Sequence, residues 1–474
     1  MAYQILIIIL PLITTPYISR VLGAENIGIY SYTTSISAYF ILFGSLGINL
    51  YAQREIAYHQ NDRKENSKTF FEIIILRTIT MIISILIFCM TFVSNGEYSF
   101  FYKILVVELI AKCFDIGWFF GGLEEFKKTV LRNFIIKCVS VCAIFILVKK
   151  PDDLDMYFWI YTLSTLLGNI SLWLYLPKYL NKVSIKNLNI VKHLKPTVAM
   201  FIPEIAIQVY NVLDKTMIGA IWDDKSEVGF YQQSDRIIKI LLTIITSLGT
   251  VLLPRMASYF SSNKKKEAFG YLKKSFNFVY FLAFPMMFGI IAVADNFVPV
   301  FFGSGYDKVG ILMSVISPII LFIGLSNVIG RQYLLPAKKQ KQYTTSVIIG
   351  AVVNLIMNSC LIWKYGALGA SIGTVVAEFS VTLVQIILVR NELNISKMIK
   401  LSFKYLISAF IMFIVCKLIE LLPITGIILI NIQVLVGVII YILMLLILKD
   451  EFTYEIIKQL KEKCNNFKLK YKIW

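Results

Sequence analysis

Charged residues are scarce in this chain of 474 residues: Asp, Glu, Lys and Arg together make up 16% of the sequence, and hydrophobic residues make up 57%. Soluble domains average about 25% charged residues, so this composition excludes a soluble enzyme. Acidic residues are fewer than basic ones, 29 against 47, and the formal net charge is +18. No segment is polar enough to form the basic face of a folded nucleic-acid-binding domain, so no nucleic acid partner is predicted.

Histidine and cysteine are also rare. The two histidines, His59 and His193, fall in predicted loops, where a solvated side chain is the default, and neither is predicted to be a ligand or a base. Six of the seven cysteines lie in apolar runs, which is not the pattern of a disulfide framework or a metal site. No glycine-rich phosphate loop is present. The sequence therefore predicts no cofactor and no ATP-driven pump.

Long apolar runs, by contrast, fill the chain and predict an all-α membrane protein with about fourteen transmembrane helices, since roughly 20 apolar residues span a bilayer. The runs lie near residues 2–19, 27–50, 70–92, 101–122, 131–149, 156–177, 197–221, 229–254, 276–296, 310–330, 343–363, 367–389, 403–420 and 427–447. Between them, Lys and Arg alternate strongly: 33 of the 47 lie on one set of loops and in the C-terminal tail. The positive-inside rule then predicts that both termini are cytoplasmic.

An internal similarity suggests how the spans are grouped. The segment "AENIGIYSYTTSI" resembles "KSEVGFYQQSDRI", aligning Gly28 with Gly229 and Tyr30 with Tyr231, and six predicted spans separate the copies. An even number of spans gives parallel repeats. We therefore predict an N-terminal six-helix lobe over 1–190, a second lobe over 191–396, an additional helix hairpin over 397–447 and a basic cytoplasmic tail over 448–474.

Ionisable residues inside predicted spans are functional candidates, because charges at membrane depth are costly unless they are paired or face water. Glu108, Lys112 and Asp115 occur at steps of four and three, which favours a salt-bridge ladder along one helix. The isolated Arg77 and Lys417 are expected to reach an interface. The seventh and eighth spans carry a polar stripe that favours a cavity lining, formed by Glu204, Gln208, Asp214, Lys215, Gln232, Asp235, Arg236 and Lys239.

Four segments, in order along the chain, resemble the polysaccharide biosynthesis family of flippases, the Wzx-type exporters of O-antigen and capsule repeat units. They are "PLITTPYISRVLGAENIGIYSY", "DIGWFFGGLEEFKK", "FIPEIAIQVYNVLDKTMIG" and "YGALGASIGTVVAE". The resemblance implies the fold of the multidrug/oligosaccharidyl-lipid/polysaccharide exporter superfamily, with two lobes in a V and a cavity that opens alternately to each side of the bacterial cytoplasmic membrane. It also implies an undecaprenyl-pyrophosphate-linked oligosaccharide as substrate, with the polymerase and assembly proteins of the same pathway as partners.

A pyrophosphate in such a cavity needs cationic donors. The candidates for it are Arg20, Arg54, Lys215, Arg236 and Lys239. The acidic residues expected to hold these cations or to carry coupling protons are Asp214, Asp235 and Glu378. The residues expected to contact sugar hydroxyls are Tyr30, Tyr210 and Gln232.

Three other functions compete with this prediction. A drug or organic cation antiporter of the same superfamily would need an acidic, aromatic cavity, whereas the candidates here are at least as basic as acidic. A lipid II flippase has the same chemistry with a different sugar. A membrane glycosyltransferase or polymerase would need a catalytic acid in a substantial loop, and the adjacent pair Glu124 and Glu125 sits beside Lys127 and Lys128, where solvation suffices. The sequence therefore predicts a transporter and not an enzyme.

Overall fold

The computed structural model describes residues 2–94, 96–184, 186 and 188–471, and in these residues the chain is helical and contains no β-strand. The α-helices are α1 (Ala2–Ser45), α2 (Ile48–Tyr58), α3 (Arg63–Phe88), α4 (Ser99–Cys113), α5 (Gly117–Gly122), α6 (Phe126–Leu147), α7 (Leu154–Trp173), α8 (Leu194–Ile221), α9 (Ser226–Ser261), α10 (Lys265–Phe302), α11 (Asp307–Ile316), α12 (Ile319–Ser326), α13 (Gln340–Tyr365), α14 (Ala367–Val389), α15 (Ile395–Ile419), α16 (Gly426–Ile447) and α17 (Glu451–Tyr471). Two π-helical stretches, Cys89–Val93 and Asn327–Leu334, continue α3 and α12. The prediction of an all-α protein is confirmed.

Ten helical segments of the described chain are long and apolar enough to cross a membrane. The predicted spans near 101–122, 156–177 and 197–221 are also helical, as α4 with α5, α7 and α8, but they are not among these ten. The count of fourteen therefore stays a prediction.

The first two predicted spans are two helical segments that follow each other without a loop, which corrects the expected polar connection between them. They meet at Gly23, whose φ of 78° and ψ of 169° are not helical, and together they make up α1. Glycine adopts a positive φ without the steric cost that a Cβ imposes. A single residue can therefore redirect the chain where the apolar pattern predicts a polar connection.

The chain divides into two compact units, Met1–Gln232 and Gln233–Trp474. We call them unit 1 and unit 2; α9 begins in the first and continues into the second. The predicted boundary near residue 190 rests on the basic loop and the internal similarity, and it stays a prediction.

The core of unit 1 is aromatic and is built largely from short helices. Phe70 of α3 stacks on Trp118 of α5 at a centroid distance of 5.5 Å and meets Phe119 edge-on at 5.0 Å. Ile48 and Ile56 of α2 are fully buried in the same cluster. The segment "DIGWFFGG" that carries part of the family resemblance is therefore a packing element between α2 and α3.

The two segments that the sequence aligns contact each other inside unit 1. A methyl group placed on Gly28 would overlap the Lys225 carbonyl oxygen and lie 3.1 Å from the Gly229 amide nitrogen. A methyl group on Gly229 would overlap the Ala24 carbonyl oxygen and lie 3.2 Å from the Gly28 nitrogen. The contact is reciprocal, since Ala24 and Lys225 are also aligned at the spacing of Gly28 and Gly229. The backbones of α1 and α9 can cross this closely only because both positions are glycine.

In unit 2, α13 and α14 form a tightly packed hairpin. A methyl group on Gly369 would lie 2.5 Å from the Leu361 carbonyl oxygen, and one on Gly373 would overlap the Asn358 side chain. The glycines of the segment "GALGASIGT" therefore allow close helix packing.

Candidate functional site

Two of the predicted substrate ligands, Arg20 and Tyr30, lie on α1. Arg20 is exposed and precedes the kink at Gly23. The Tyr30 ring is half-buried and meets Tyr157 and Phe158 of α7 edge-on at centroid distances of 4.8 and 5.0 Å. Such edge-on pairs are favourable arrangements of aromatic rings, so these contacts hold Tyr30 against α7. Its contact with a sugar stays a prediction.

Glu108 of α4 is a buried carboxylate, 5% exposed. It accepts hydrogen bonds from the Tyr161 hydroxyl of α7, at 3.0 Å to Oε1, and from the Ser37 hydroxyl of α1, at 3.3 Å to Oε2. Asp115, seven residues further on, pairs with Arg77 of α3. Both carboxylates also interact electrostatically with Lys112 between them, so the salt-bridge ladder along the fourth span stays a prediction, while their side-chain hydrogen bonds and the ion pair come from neighbouring helices.

Arg77 is fully buried, so the expectation that it reaches an interface is wrong. Its Nε donates to the Lys112 carbonyl oxygen at 2.8 Å, one terminal nitrogen donates to Asn49 Oδ1 at 2.7 Å, and the other lies 3.8 Å from Asp115 Oδ2. A guanidinium presents several donors in a fixed plane, which lets one side chain join α2, α3 and the end of α4. Arg77 therefore links these helices within unit 1.

His193 is likewise not solvated. It is 2% exposed, and its Nε2 lies 2.8 Å from Glu72 Oε2 while its Nδ1 lies 2.6 Å from the Tyr51 hydroxyl. Lys192 Nζ is 2.7 Å from the same Glu72 oxygen, and the Asn189 amide donates to Glu72 Oε1 at 2.7 Å. The network fastens the segment before α8 to α2 and α3. Burial lowers the pKa of His193 below its usual 6.5, although the Glu72 hydrogen bond opposes this shift.

This lowered pKa predicts a loss of stability in mild acid. Near pH 6.5 the unfolded chain takes up a proton that buried His193 resists, so acid favours the unfolded state until both states are protonated. We expect the thermal unfolding midpoint of the detergent-purified protein to decrease when the pH is lowered from 7.5 to 5.5. In His193→Gln this decrease should be smaller. The control is His59→Gln, which should show the same decrease as the wild type. Equal pH profiles for the two variants would contradict the role of His193.

Asp214 and Lys215 stand on α8, where the seventh span is predicted. Asp214 is buried and accepts a hydrogen bond from the hydroxyl of Tyr231 on α9, while Lys215 is half-buried. Tyr231 is the residue that the internal similarity aligns with Tyr30. The side chain of Tyr210 lies outside the described part of the structure, so its predicted role is not assessed.

Arg54 lies on α2 and is exposed at a helix surface. Its terminal nitrogen is 3.1 Å from Glu55 Oε1, and its guanidinium carbon lies 5.6 and 5.8 Å from the ring centroids of Tyr51 and Tyr58. Tyr51 is the same residue that hydrogen-bonds His193. Arg54 is therefore placed beside the buried network, with its charge accessible.

In unit 2, the structure brings two predicted residues together. Asp235 is buried and lies 2.8 Å from Lys239 Nζ, one turn further along α9, while Lys239 remains about half exposed. Arg236, between them, is half-buried, and Glu378 is buried on α14. Gln232 is half-buried at the end of unit 1. Asp235 thus holds the Lys239 side chain in place, while the charge of Lys239 stays accessible to solvent.

Sequence reasoning missed the buried network of Glu72, His193 and Tyr51. One signal was present, because Glu72 falls inside the apolar run over 70–92. Nothing local marks its partners, which are more than 100 residues away along the chain. Among the described residues, no group of three or more His, Cys, Asp or Glu side chains could hold a metal ion.

The family model described as "Polysaccharide biosynthesis protein" matches residues 1–260, more than half of the chain. The chain belongs to this family. A second family model, described as MatE, matches residues 199–360. The predicted family resemblance is confirmed.

Individual relatives match most of the length of this chain. A protein of Escherichia coli (strain K12) named "Putative O-antigen transporter" is 26% identical over 389 residues, which is 81% of this chain and 93% of that protein. The "Probable low-salt glycan biosynthesis flippase Agl15" of Haloferax volcanii is 22% identical over 76% of this chain and 75% of its own length. The solved structure "Lipid II flippase MurJ, inward closed conformation" superposes with a TM-score of 0.71 at 18% identity, covering 93% of this chain and 99% of that one. The last comparison establishes a shared fold.

Proposed function

We propose that this protein is a flippase that moves undecaprenyl-pyrophosphate-linked oligosaccharide repeat units across the bacterial cytoplasmic membrane for the synthesis of surface polysaccharide, as capsule or O-antigen. The observation that carries the proposal is the similarity to the E. coli relative named for O-antigen transport, which extends over 93% of that protein. The apolar helices support it, because ten helical segments of the described chain are long and apolar enough to cross a membrane. Such a chain offers a path through the membrane for a head group while the polyprenyl tail stays in lipid.

The proposed substrate ligands include the five cations that the sequence predicts. Arg20, Arg54, Lys215, Arg236 and Lys239 would neutralise the pyrophosphate, since charge-assisted hydrogen bonds to phosphate oxygens are the strong ones. Asp235 supports this role because it fixes Lys239 at 2.8 Å. Asp214 and Glu378, both buried, would carry coupling protons or hold cations, and Tyr30, Tyr210 and Gln232 would meet sugar hydroxyls.

The proposal includes an arrangement in the membrane. The Lys and Arg distribution supports cytoplasmic termini, and we propose that the two six-helix lobes alternate access to the site while the hairpin over 397–447 and the tail over 448–474 lie outside them. The polymerase and assembly proteins of the same pathway would receive the flipped lipid.

Arg236→Ala tests the site. We expect a drop of roughly tenfold or more in the flux of lipid-linked oligosaccharide, because one charged hydrogen bond contributes about 1.5–3 kcal/mol. Flux is measured in proteoliposomes that hold equal amounts of folded protein. Arg236→Lys should retain part of the flux, and the exposed Lys266→Ala on α10 should match the wild type. Wild-type flux in Arg236→Ala would refute the assignment.

A second candidate, an organic cation antiporter, is favoured by one observation: the MatE model matches residues 199–360. The same proteoliposomes test it by uptake of a fluorescent organic cation under an imposed proton or sodium gradient. Dye transport without transport of lipid-linked oligosaccharide would replace the flippase proposal with this one.

A further inference from the structure

The C-terminal helix α17 begins where a candidate membrane span ends. That span, α16, has 22 residues and is therefore about 33 Å long, close to the thickness of the hydrocarbon core of a bilayer. Only residues 448–450 separate α16 from α17. A chain that crosses the bilayer as α16 therefore enters α17 at the membrane surface.

Hydrogen bonds and an ion pair attach the start of α17 to the rest of unit 2. Asp450 is buried, and its carboxylate accepts hydrogen bonds from the Tyr405 hydroxyl of α15, at 3.1 Å to Oδ1, and from the Thr453 amide, at 2.9 Å to Oδ2. Because Thr453 is the third residue of α17, Asp450 acts as its N-cap. Further along, Glu455 Oε1 lies 3.2 Å from Lys274 Nζ of α10. The first two turns of α17 are thus held by α10 and α15.

The part of α17 that follows Glu455 carries positive charge without a local partner. Lys458 and Lys461 are exposed, and neither makes an ion pair, a side-chain hydrogen bond or a ring contact with another described residue. After Glu462 the sequence contains four lysines and no acidic residue; the lysines are Lys463, Lys468, Lys470 and Lys472. Positive charge therefore accumulates away from the attached end of the helix.

The sequence of α17 is also amphipathic. Four apolar residues recur at steps of four, four and seven, which is the spacing of one stripe along a helix: Phe452, Ile456, Leu460 and Phe467. Where the structure describes these side chains, Phe452 and Ile456 are half-buried. Three acidic residues recur at steps of four and seven on a different side of the helix: Glu451, Glu455 and Glu462. These three are exposed.

Lysines follow the two borders of this apolar stripe in the sequence. Lys461 and Lys468 are seven residues apart, which is close to two helical turns, and so are Lys463 and Lys470. Each pair therefore falls on one border of the stripe. A lysine at such a border can cover apolar surface with its methylene stem while its ammonium group stays at the polar side. An apolar stripe with basic borders is typical of helices that lie in the interface of a membrane, and a solvated tail would not need the stripe.

We propose that α17 lies along the membrane surface, on the side where α16 ends, and binds the phosphate groups of anionic lipids through Lys461, Lys463, Lys468 and Lys470. Anionic lipid complements the excess of positive charge, and each lysine near such a surface contributes about a fivefold factor to the binding constant. The attachment at Asp450 and Glu455 keeps the helix close to the bilayer. The proposal does not depend on the flippase function, since it concerns the lipids of the surrounding bilayer.

Hydrogen–deuterium exchange of the full-length protein in lipid nanodiscs tests the proposal. Nanodiscs of phosphatidylcholine are compared with nanodiscs that also contain phosphatidylglycerol, and exchange is followed in peptides over residues 456–471. The test variant replaces the four border lysines: Lys461→Gln/Lys463→Gln/Lys468→Gln/Lys470→Gln. The matched control replaces four exposed lysines of unit 2 outside α17: Lys264→Gln/Lys266→Gln/Lys273→Gln/Lys341→Gln.

We expect the backbone amides of this segment to exchange roughly tenfold more slowly with phosphatidylglycerol than without it, in the wild type and in the control variant. The test variant should lose this difference. Salt at about 0.5 M should also reduce it in the wild type, because salt screens charges at a surface.

Each other outcome contradicts the proposal in a distinct way. Fast exchange in both lipids would overturn it in favour of a solvated tail or a protein partner. Equally slow exchange in both lipids would mean that α17 packs on its own chain. Protection by phosphatidylglycerol that persists in the test variant would overturn the role of the lysines. If that variant does not fold, the wild type decides, since protection that high salt leaves unchanged would overturn binding by charge.

Discussion

Gly28→Ala should strongly destabilise the protein, because the new methyl group has no space. It would overlap the Lys225 carbonyl oxygen and lie 2.6 Å from the carbonyl carbon. Both atoms are backbone, so no rotamer change can relieve the clash. Lys225 is also anchored, since its Nζ donates to the Gly219 and Trp222 carbonyl oxygens at 2.8 Å each. Overpacking costs about 1–3 kcal/mol and occasionally more, and we expect a loss of about 3 kcal/mol for this variant.

The unfolding midpoint in detergent is measured by fluorescence-detected size exclusion. The yield of inserted protein is measured as well. Gly270→Ala is the matched control, because a methyl group there meets no atom within 4 Å. That variant should be neutral or slightly stabilised, since alanine favours a helix over glycine by about 1 kcal/mol. Gly229→Ala should behave like Gly28→Ala, and the double variant should cost less than the sum of the two, since both methyl groups enter one contact. A Gly28→Ala protein as stable as Gly270→Ala would contradict the close crossing.

Arg77→Met should destabilise unit 1 by about 3–5 kcal/mol, the cost of breaking a buried charge pair by removing one partner. The substitution keeps much of the side-chain volume but leaves Asn49 Oδ1 and the Lys112 carbonyl oxygen without the Arg77 donor, and Asp115 without its ion-pair partner. Arg77→Lys should recover only part of the loss, because a single ammonium cannot replace three guanidinium nitrogens that each face a different group. The free energy of unfolding is compared by denaturant titration in mixed micelles.

Two controls separate the buried contacts of Arg77 from the general loss of a positive charge. Lys64→Met removes an exposed charge from the same helix, α3, and should change stability by less than about 0.5 kcal/mol. Arg77→Met/Asp115→Asn should be less unstable than the sum of its single variants, since the second change removes the uncompensated carboxylate. If Arg77→Met matched Lys64→Met, the guanidinium would not tie these helices together.

Much of the fold follows from the sequence, because length and apolarity determine a membrane-spanning helix almost alone. The predicted spans correspond to helices in the structure even where a helix is short, as with α4 and α5. The kink in α1 was not predicted, since a polar connection and one glycine with positive φ look alike in the pattern around Gly23. The crossing of Gly28 and Gly229 was marked in the sequence only as an alignment, and the contact itself depends on how the helices pack.

The contacts of the candidate site could likewise be predicted from the sequence only in part. The pairing of Asp235 with Lys239 follows from a spacing of four residues on one helix. Arg77 and His193 could not be placed by the same reasoning, since their partners come from other helices and in two cases lie more than 100 residues away. Arg77 was expected to snorkel because its own helix offers no partner. Local spacing predicts contacts within a helix, whereas a buried charge is satisfied by tertiary contacts.

The measurement that tests the central claim most directly is translocation of a labelled undecaprenyl-pyrophosphate oligosaccharide by the purified wild-type protein in liposomes. The lipid is loaded on one leaflet, proton and sodium gradients are imposed in separate runs, and the glycan is scored on the other leaflet by its accessibility to a membrane-impermeant glycosidase or lectin. Protein-free vesicles and vesicles with an unrelated polytopic protein set the background. We expect glycan to appear on the far leaflet several times faster than in either control. Rates equal to the controls, with folded protein and glycans matched to the host, would contradict the flippase function.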